Sequence, residues 1–166
     1  MATERRVALA LNLTAIKLDC GCIEHCDAVL HELSNIRLPK LVDLSIICGT
    51  VILADIRRLL LAHATTLRKV VLDTMEFEGH IQQFEDTLRV IHQRLTLLEC
   101  LEMSAPMVAE QEVVYPDFPC FRVYPIECGA DWLCVDVTDG LCLESRTEIE
   151  HGLPQALRCL TTIAAP

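Results

Sequence analysis

The sequence predicts an α/β solenoid, and three observations predict it. Four segments repeat one pattern, Leu-x-x-Φ-x-Φ-x-x-x-x-Φ, with Φ apolar. The copies are Leu13, Ile16, Leu18 and Ile23; Leu41, Leu44, Ile46 and Val51; Leu67, Val70, Leu72 and Phe77; and Leu98, Leu101, Met103 and Val108, with starts 28, 26 and 31 residues apart. Between the copies, apolar residues recur at helical spacing. The chain is also aliphatic, 52% hydrophobic but only 4% aromatic. That suits thin repeated layers better than a barrel of aromatic pairs, and it rules out a disordered chain.

Each copy reads as a strand whose first, fourth and sixth positions fill the core. The spacing is close to that of a leucine-rich repeat, whose units run about 20–29 residues. Counting the first Leu of each copy as position one, position nine is Gly21, Gly49, Met75 or Pro106. Asn or Cys often stands there in this repeat type, so no regular asparagine ladder is expected. The helical returns fall at 27–33 with Val29, Leu30 and Leu33 on one face; at 54–64 with Ile56, Leu59, Leu60 and His63; and at 84–95 with Phe84, Leu88, Ile91 and Leu95. Asp55 and Glu85 stand near helix starts, where the dipole favours negative charge. Each unit has an apolar side it cannot cover alone, so at least three must stack.

After Pro106 the repeat register is expected to end. Tyr115, Pro116, Pro119 and Pro125 mark irregular structure. Residues 121–126 and 132–137 read as strands, and Thr138-Asp139-Gly140 as a turn. Residues 144–160 read as a helix with Ile149, Leu153, Ala156, Leu157 and Leu160 on one side, kinked or divided at Pro154. The expected organisation is one domain, as 166 residues suggest. Residues 1–110 form a leucine-rich-repeat solenoid of about four coils, and 111–166 an irregular C-terminal cap over an otherwise bare sheet edge. At the other end, residues 7–11 form a rudimentary strand, or the natural solenoid is longer.

Net charge is −10, which argues against nucleic acid, whose phosphates call for Lys and Arg. The charge is uneven: residues 1–97 hold 11 basic and 12 acidic residues, and 98–166 hold 3 and 12. An acidic end repels membranes and keeps the chain soluble. The longest uncharged stretch, 44–54, is 11 residues, well short of the roughly 20 that span a bilayer. Ten cysteines invite a disulfide reading. The N-terminus lacks the form of a signal peptide, and the cysteines lack the dense spacing of a stapled scaffold. A reducing compartment, cytoplasmic or nuclear, follows.

The phrases Leu41-Val-Asp-Leu-Ser-Ile-Ile, Ile56-Arg-Arg-Leu-Leu-Leu-Ala-His-Ala-Thr-Thr-Leu, Leu88-Arg-Val-Ile and Leu98-Glu-Cys-Leu-Glu-Met carry a family likeness. The stretch 41–106 resembles the repeat region of fungal F-box-like proteins with leucine-rich repeats. His63 to Leu67 is similar to the "His-x-x-Thr-Leu" phrase that leads into the next strand there. Glu148, Gly152 and Leu153 look like part of the closing helix. The resemblance implies a target-binding role in a cullin–RING ubiquitin ligase. The F-box that binds a Skp-type adaptor normally precedes the repeats, and only 12 residues precede the first repeat here. A Skp-type adaptor is therefore expected only if an F-box exists elsewhere.

Cys20, Cys22, His25 and Cys26 form the sharpest chemical cluster. Three thiols and an imidazole can hold zinc, yet the repeat register assigns them to a turn, and the spacing matches no paired knuckle. No metal and no cofactor is expected. Cys20 and Cys48 share position eight, which reads as a redox pair or as two small turn residues. Nucleophilic catalysis needs a Cys or Ser beside an oriented base. His63 and His92 lie near apolar helix faces, and His25, His31, His80 and His151 have no acid at a recognisable spacing. No enzyme is expected. The candidate binding surface is the concave face, where the strand positions between the inward residues point: Lys17, Asp19, Asp43, Ser45, Ile47, Lys69, Val71, Asp73 and Glu102. Ile47 and Val71 are expected to be exposed there, an apolar centre rimmed by charge. The reading is a non-catalytic protein-interaction module, its protein target unspecified, without nucleic acid or membrane. The alternatives are a truncated product without independent function, or a thiol or zinc protein using 20–26.

Overall fold

The computed structural model describes residues 12–19, 26–104, 106–114, 119–125 and 133–164. Among them the chain is mixed α/β, with nine strands and four helices. Strand β1 (Ala15–Asp19), helix α1 (Cys26–Ser34), β2 (Asp43–Ile52), α2 (Leu53–Ala62), β3 (Lys69–Glu78), α3 (Ile81–Arg94) and β4 (Cys100–Ser104) alternate along the chain. The four strands lie parallel and side by side in sequence order. Helix α1 packs on α2, α2 on α3, and α3 on the last helix, α4 (Arg146–Cys159).

The repeated apolar positions build the core. Leu41, Leu67 and Leu98 are buried, as are Leu44, Val70 and Leu101, then Ile46, Leu72 and Met103, then Val51, Phe77 and Val108. The first copy is less covered: Ile16 is buried, Leu18 partly, and Leu13 is exposed. Ile23 lies outside the described residues.

Strands β2 and β3 run for 10 residues each, twice the length of the apolar motif's first arm. They hold together by bending. Positions four and six point inward, and so do nine and eleven, so the inward parity shifts by one residue. The register shows where: it passes from Ile47↔Asp73 to Gly49↔Met75 and skips Cys48 and Thr74. Thr74 has φ 52°, a left-handed conformation uncommon for a β-branched residue. One residue inserted there turns the chain, as a bulge does, and lets both arms bury alternate side chains. In the fourth copy the bent strand is split into β4 and β5 (Met107–Val108), both parallel to β3. Pro106 lies at the split and has no N–H to give a ladder. The register therefore does not end at Pro106, because Phe77 still pairs with Val108. Backbone pairing carries the repeat past a residue whose local preference is to break it.

In place of an asparagine ladder, the main chain makes one. The carbonyl of Thr14 accepts the N–H groups of Val42 and Asp43 at 2.8 and 3.0 Å. That of Val42 accepts from Arg68 and Lys69 at 2.8 and 3.1 Å, and that of Arg68 from Glu99 and Cys100 at 2.7 and 3.0 Å. Position two of the first three copies thus satisfies two donors of the next, at the starts of β2, β3 and β4.

The helices bury most of the expected stripes, with Leu33, Leu157 and Leu160 only partly covered. In α1, a helix of 9 residues, Leu30 is buried but Val29 is exposed. Ile56, Leu59 and Leu60 of α2 are buried, and so are Phe84, Leu88 and Ile91 of α3. Phe84 packs on Phe77 with ring centroids 5.3 Å apart, tilted by 49°.

The C-terminal part closes the far side. β6 (Gln111–Val114) folds back on β5 through Ala109 and Glu110, whose φ values are 50° and 61°, a turn of type I′. β9 (Thr161–Ala164) pairs with β6, while β7 (Pro119–Pro125) pairs with β8 (Leu133–Leu143). Thr138-Asp139-Gly140 is not a turn. Residues 133–139 of β8 pair with β7, and residues 140–143 pair with β4. The strand changes partner at Gly140, and the ladder bonds gained on both sides outweigh local turn preference. Antiparallel β8 and β6 thus occupy the edges that β4 and β5 would leave open. Helix α4 is one continuous element with Pro154 inside it, not two pieces. The carbonyl of Glu150, four residues before Pro154, meets His92 Nε2 at 3.4 Å. Tyr115, Pro116, Ile126 and Trp132 lie outside the described residues. No described helix is long and apolar enough to cross a membrane.

Candidate functional site

Because side chains alternate along a strand, positions three, five and seven turn away from the helix layer. The register aligns them in three rows: Ala15, Asp43, Lys69 and Cys100; Lys17, Ser45, Val71 and Glu102; Asp19, Ile47, Asp73 and Ser104. All nine residues singled out in the sequence fall in these rows.

Exposure falls across the face. Lys17, Asp19, Asp43 and Lys69 are exposed, while Ser45, Ile47, Asp73 and Glu102 are half-buried. Val71 is only 8% exposed and Ser104 1%. The expected exposed apolar pair is thus reduced to a half-buried Ile47 over a buried Val71. Val71 sits mid-face, between Ser45 and Glu102 in its row and between Lys69 and Asp73 on its strand. On the β1–β3 side the face opens into a hollow of about 260 Å³, lined by Lys17, Asp43, Ser45, Lys69 and Val71.

The charges are arranged, not scattered. Asp43 and Lys69 are register neighbours. Asp73 is tied into the framework at the bend, accepting from Thr74 Oγ1 at 3.0 Å and from the Ser104 hydroxyl. Burial pushes the Cys100 thiol up; Lys69 pulls it partly back, and Glu102, Glu144 and Asp43 push it further up. Cys100, Cys142 and Cys159 are thiols, not disulfides.

Cys20, Cys22 and His25 lie outside the described residues, and so does the position-eight neighbour of Cys48. Among the described residues no three His, Cys, Asp or Glu side chains converge to hold a metal. His31, read in the sequence as having no acid, does have one. Its Nδ1 lies 3.1 Å from the Asp55 carboxylate, 24 residues on. Asp55 is 5% exposed and also accepts from Arg58 at 3.1 Å. It therefore ties α1 to α2 as well as standing near a helix start. The Ser34 hydroxyl donates to the His31 carbonyl at 2.7 Å, so its proton points at the main chain and not at the imidazole. His63 is 1% exposed and fully engaged with backbone groups of Leu38 and Leu59. Comparison with family models, with curated proteins and with solved structures gives no match.

Proposed function

We propose that the chain is a leucine-rich-repeat solenoid of about four coils that works as a non-catalytic protein-interaction module. Its contact surface is the strand face carrying Lys17, Asp19, Asp43, Ser45, Ile47, Lys69, Val71, Asp73 and Glu102. The observation that supports this most is the register. Three rows of mostly charged and small polar groups, with Ile47 and Val71 among them, cross four parallel strands above a continuous apolar core. Stacked repeats present such surfaces to partners. The likeness of 41–106 to fungal F-box-like repeats adds a setting, that of a ubiquitin-ligase receptor holding its target. Cytoplasm or nucleus is the matching compartment.

Affinity capture from the native lysate, followed by mass spectrometry, tests the reading. A parallel bait carries Ser45→Arg and Ile47→Arg, which block the face while leaving the core intact. A specific partner lost from the second bait supports the module. A Skp-type adaptor or cullin among the captured proteins supports the ligase setting. Partners retained equally by both baits, or chaperones alone, overturn the reading.

A further inference from the structure

We propose that the hollow over β1–β3 receives an acidic side chain of an extended peptide, clamped between Lys17 and Lys69; this rests on the strand face being the contact surface. The two lysines flank the hollow from β1 and β3, with Asp43 and Ser45 of β2 between them. Strand spacing and rise place their Cα atoms roughly 12 Å apart, so two extended side chains reach one carboxylate from opposite sides. Both lysines are exposed, and no ion pair holds either among the described residues. By contrast Arg58, Arg68, Arg89 and Arg146 are each paired with a carboxylate. Two ammonium groups against the one carboxylate of Asp43 leave the lining of this hollow net positive, in a chain of net charge −10.

The rest of the lining narrows the ligand. Asp43 repels a bare small anion but accepts N–H groups, as the Ser45 hydroxyl also does. A peptide brings both a carboxylate for the lysines and amide donors for Asp43 and Ser45. Val71 gives an apolar floor for an aliphatic flank. The global negative charge repels acidic chains at long range, so capture depends on this local match and not on net charge.

The test is selection of random dodecapeptides displayed on phage against the full chain. The winning peptide is then synthesised and titrated by fluorescence anisotropy. The expected result is an Asp or Glu at a fixed place in the enriched sequences. Replacing it by Asn or Gln should weaken binding about tenfold or more, and so should the variant Lys17→Ala with Lys69→Ala. Both lysines are exposed, and circular dichroism checks that the variant folds. Lys17→Glu with Lys69→Glu should reverse the preference, favouring the peptide with Lys in place of the acid. Hydrogen exchange of the bound chain separates two failures. Enriched peptides that protect β1–β3 yet tolerate the amide, or tolerate loss of both lysines, overturn the clamp alone. Protection elsewhere, or no enrichment at all, overturns the clamp and the face together.

Discussion

His63 and Leu38 are joined across two successive repeat units: the backbone N–H of Leu38 donates to His63 Nε2 at 2.9 Å. The other ring nitrogen donates to the carbonyl of Leu59 at 2.9 Å. The imidazole is thus a neutral, doubly bonded plug between the end of α2 and the loop before β2. His63→Ala leaves the Leu38 N–H buried without a partner and opens a void. The expected loss is about 2–3 kcal/mol, read from urea unfolding, with faster amide exchange at Leu38. A loss under about 0.5 kcal/mol with unchanged exchange would show that water replaces the ring.

Ala109 and Glu110 form the two-residue turn between β5 and β6 with both φ values positive. Residues other than glycine and asparagine pay about 1 kcal/mol or more for that conformation. The double change Ala109→Asn and Glu110→Gly supplies what a type I′ turn prefers. Stability should rise by about 1 kcal/mol, visible as a higher thermal midpoint. A fall in midpoint would mean that these side chains do more than span the turn.

Gly79 directly follows β3 with φ 151°, and a Cβ there would lie 2.6 Å from Gln83 Oε1 and 2.8 Å from Leu53 Cδ1. Gln83 cannot simply swing aside, because that oxygen accepts the N–H of His80 at 3.0 Å, at the start of α3. Gly79→Ala should cost about 1–3 kcal/mol. Chemical denaturation of the single variant measures it, and an unchanged midpoint contradicts the close packing of this corner.

The spacing of the leucines made the face legible. Once Leu13, Leu41, Leu67 and Leu98 are aligned, parity alone puts Lys17, Ser45, Val71 and Glu102 in one row, and the strands pair in that register. What parity does not carry is depth. Val71 is only 8% exposed, a property of the assembled sheet. The bend at Thr74 was not legible either, since a threonine gives no local sign of a left-handed φ. Pro106 and Thr138-Asp139-Gly140 misled for the opposite reason. Their local signals are strong, but pairing with β3, β4 and β7 overrides them. His31 and Asp55 meet through the stacking of α1 on α2, which no sequence spacing announces.

Cys100 offers a direct reading of the electrostatics of the candidate face. Its thiol is pushed up by burial, drawn down by Lys69 and raised again by Glu102, Glu144 and Asp43. A raised value means less thiolate at pH 8, so iodoacetamide should label Cys100 more slowly than in the unfolded chain. Lys69→Met removes the downward pull and should slow labelling further, while Glu102→Gln should speed it. Because the replacements are close in size to the originals, altered access would not by itself move the two rates in opposite directions. The same shift sets a sign for stability. The unfolded thiol ionises first, at about pH 8.5, so this group's contribution is fully present below that pH. It is lost as pH rises through the higher folded value. Mass spectrometry of the Cys100 peptide across pH 7–10 gives the rates. Equal rates in both variants would mean that neither Lys69 nor Glu102 acts on this thiol, and the charge pattern assigned to the face would fail with it.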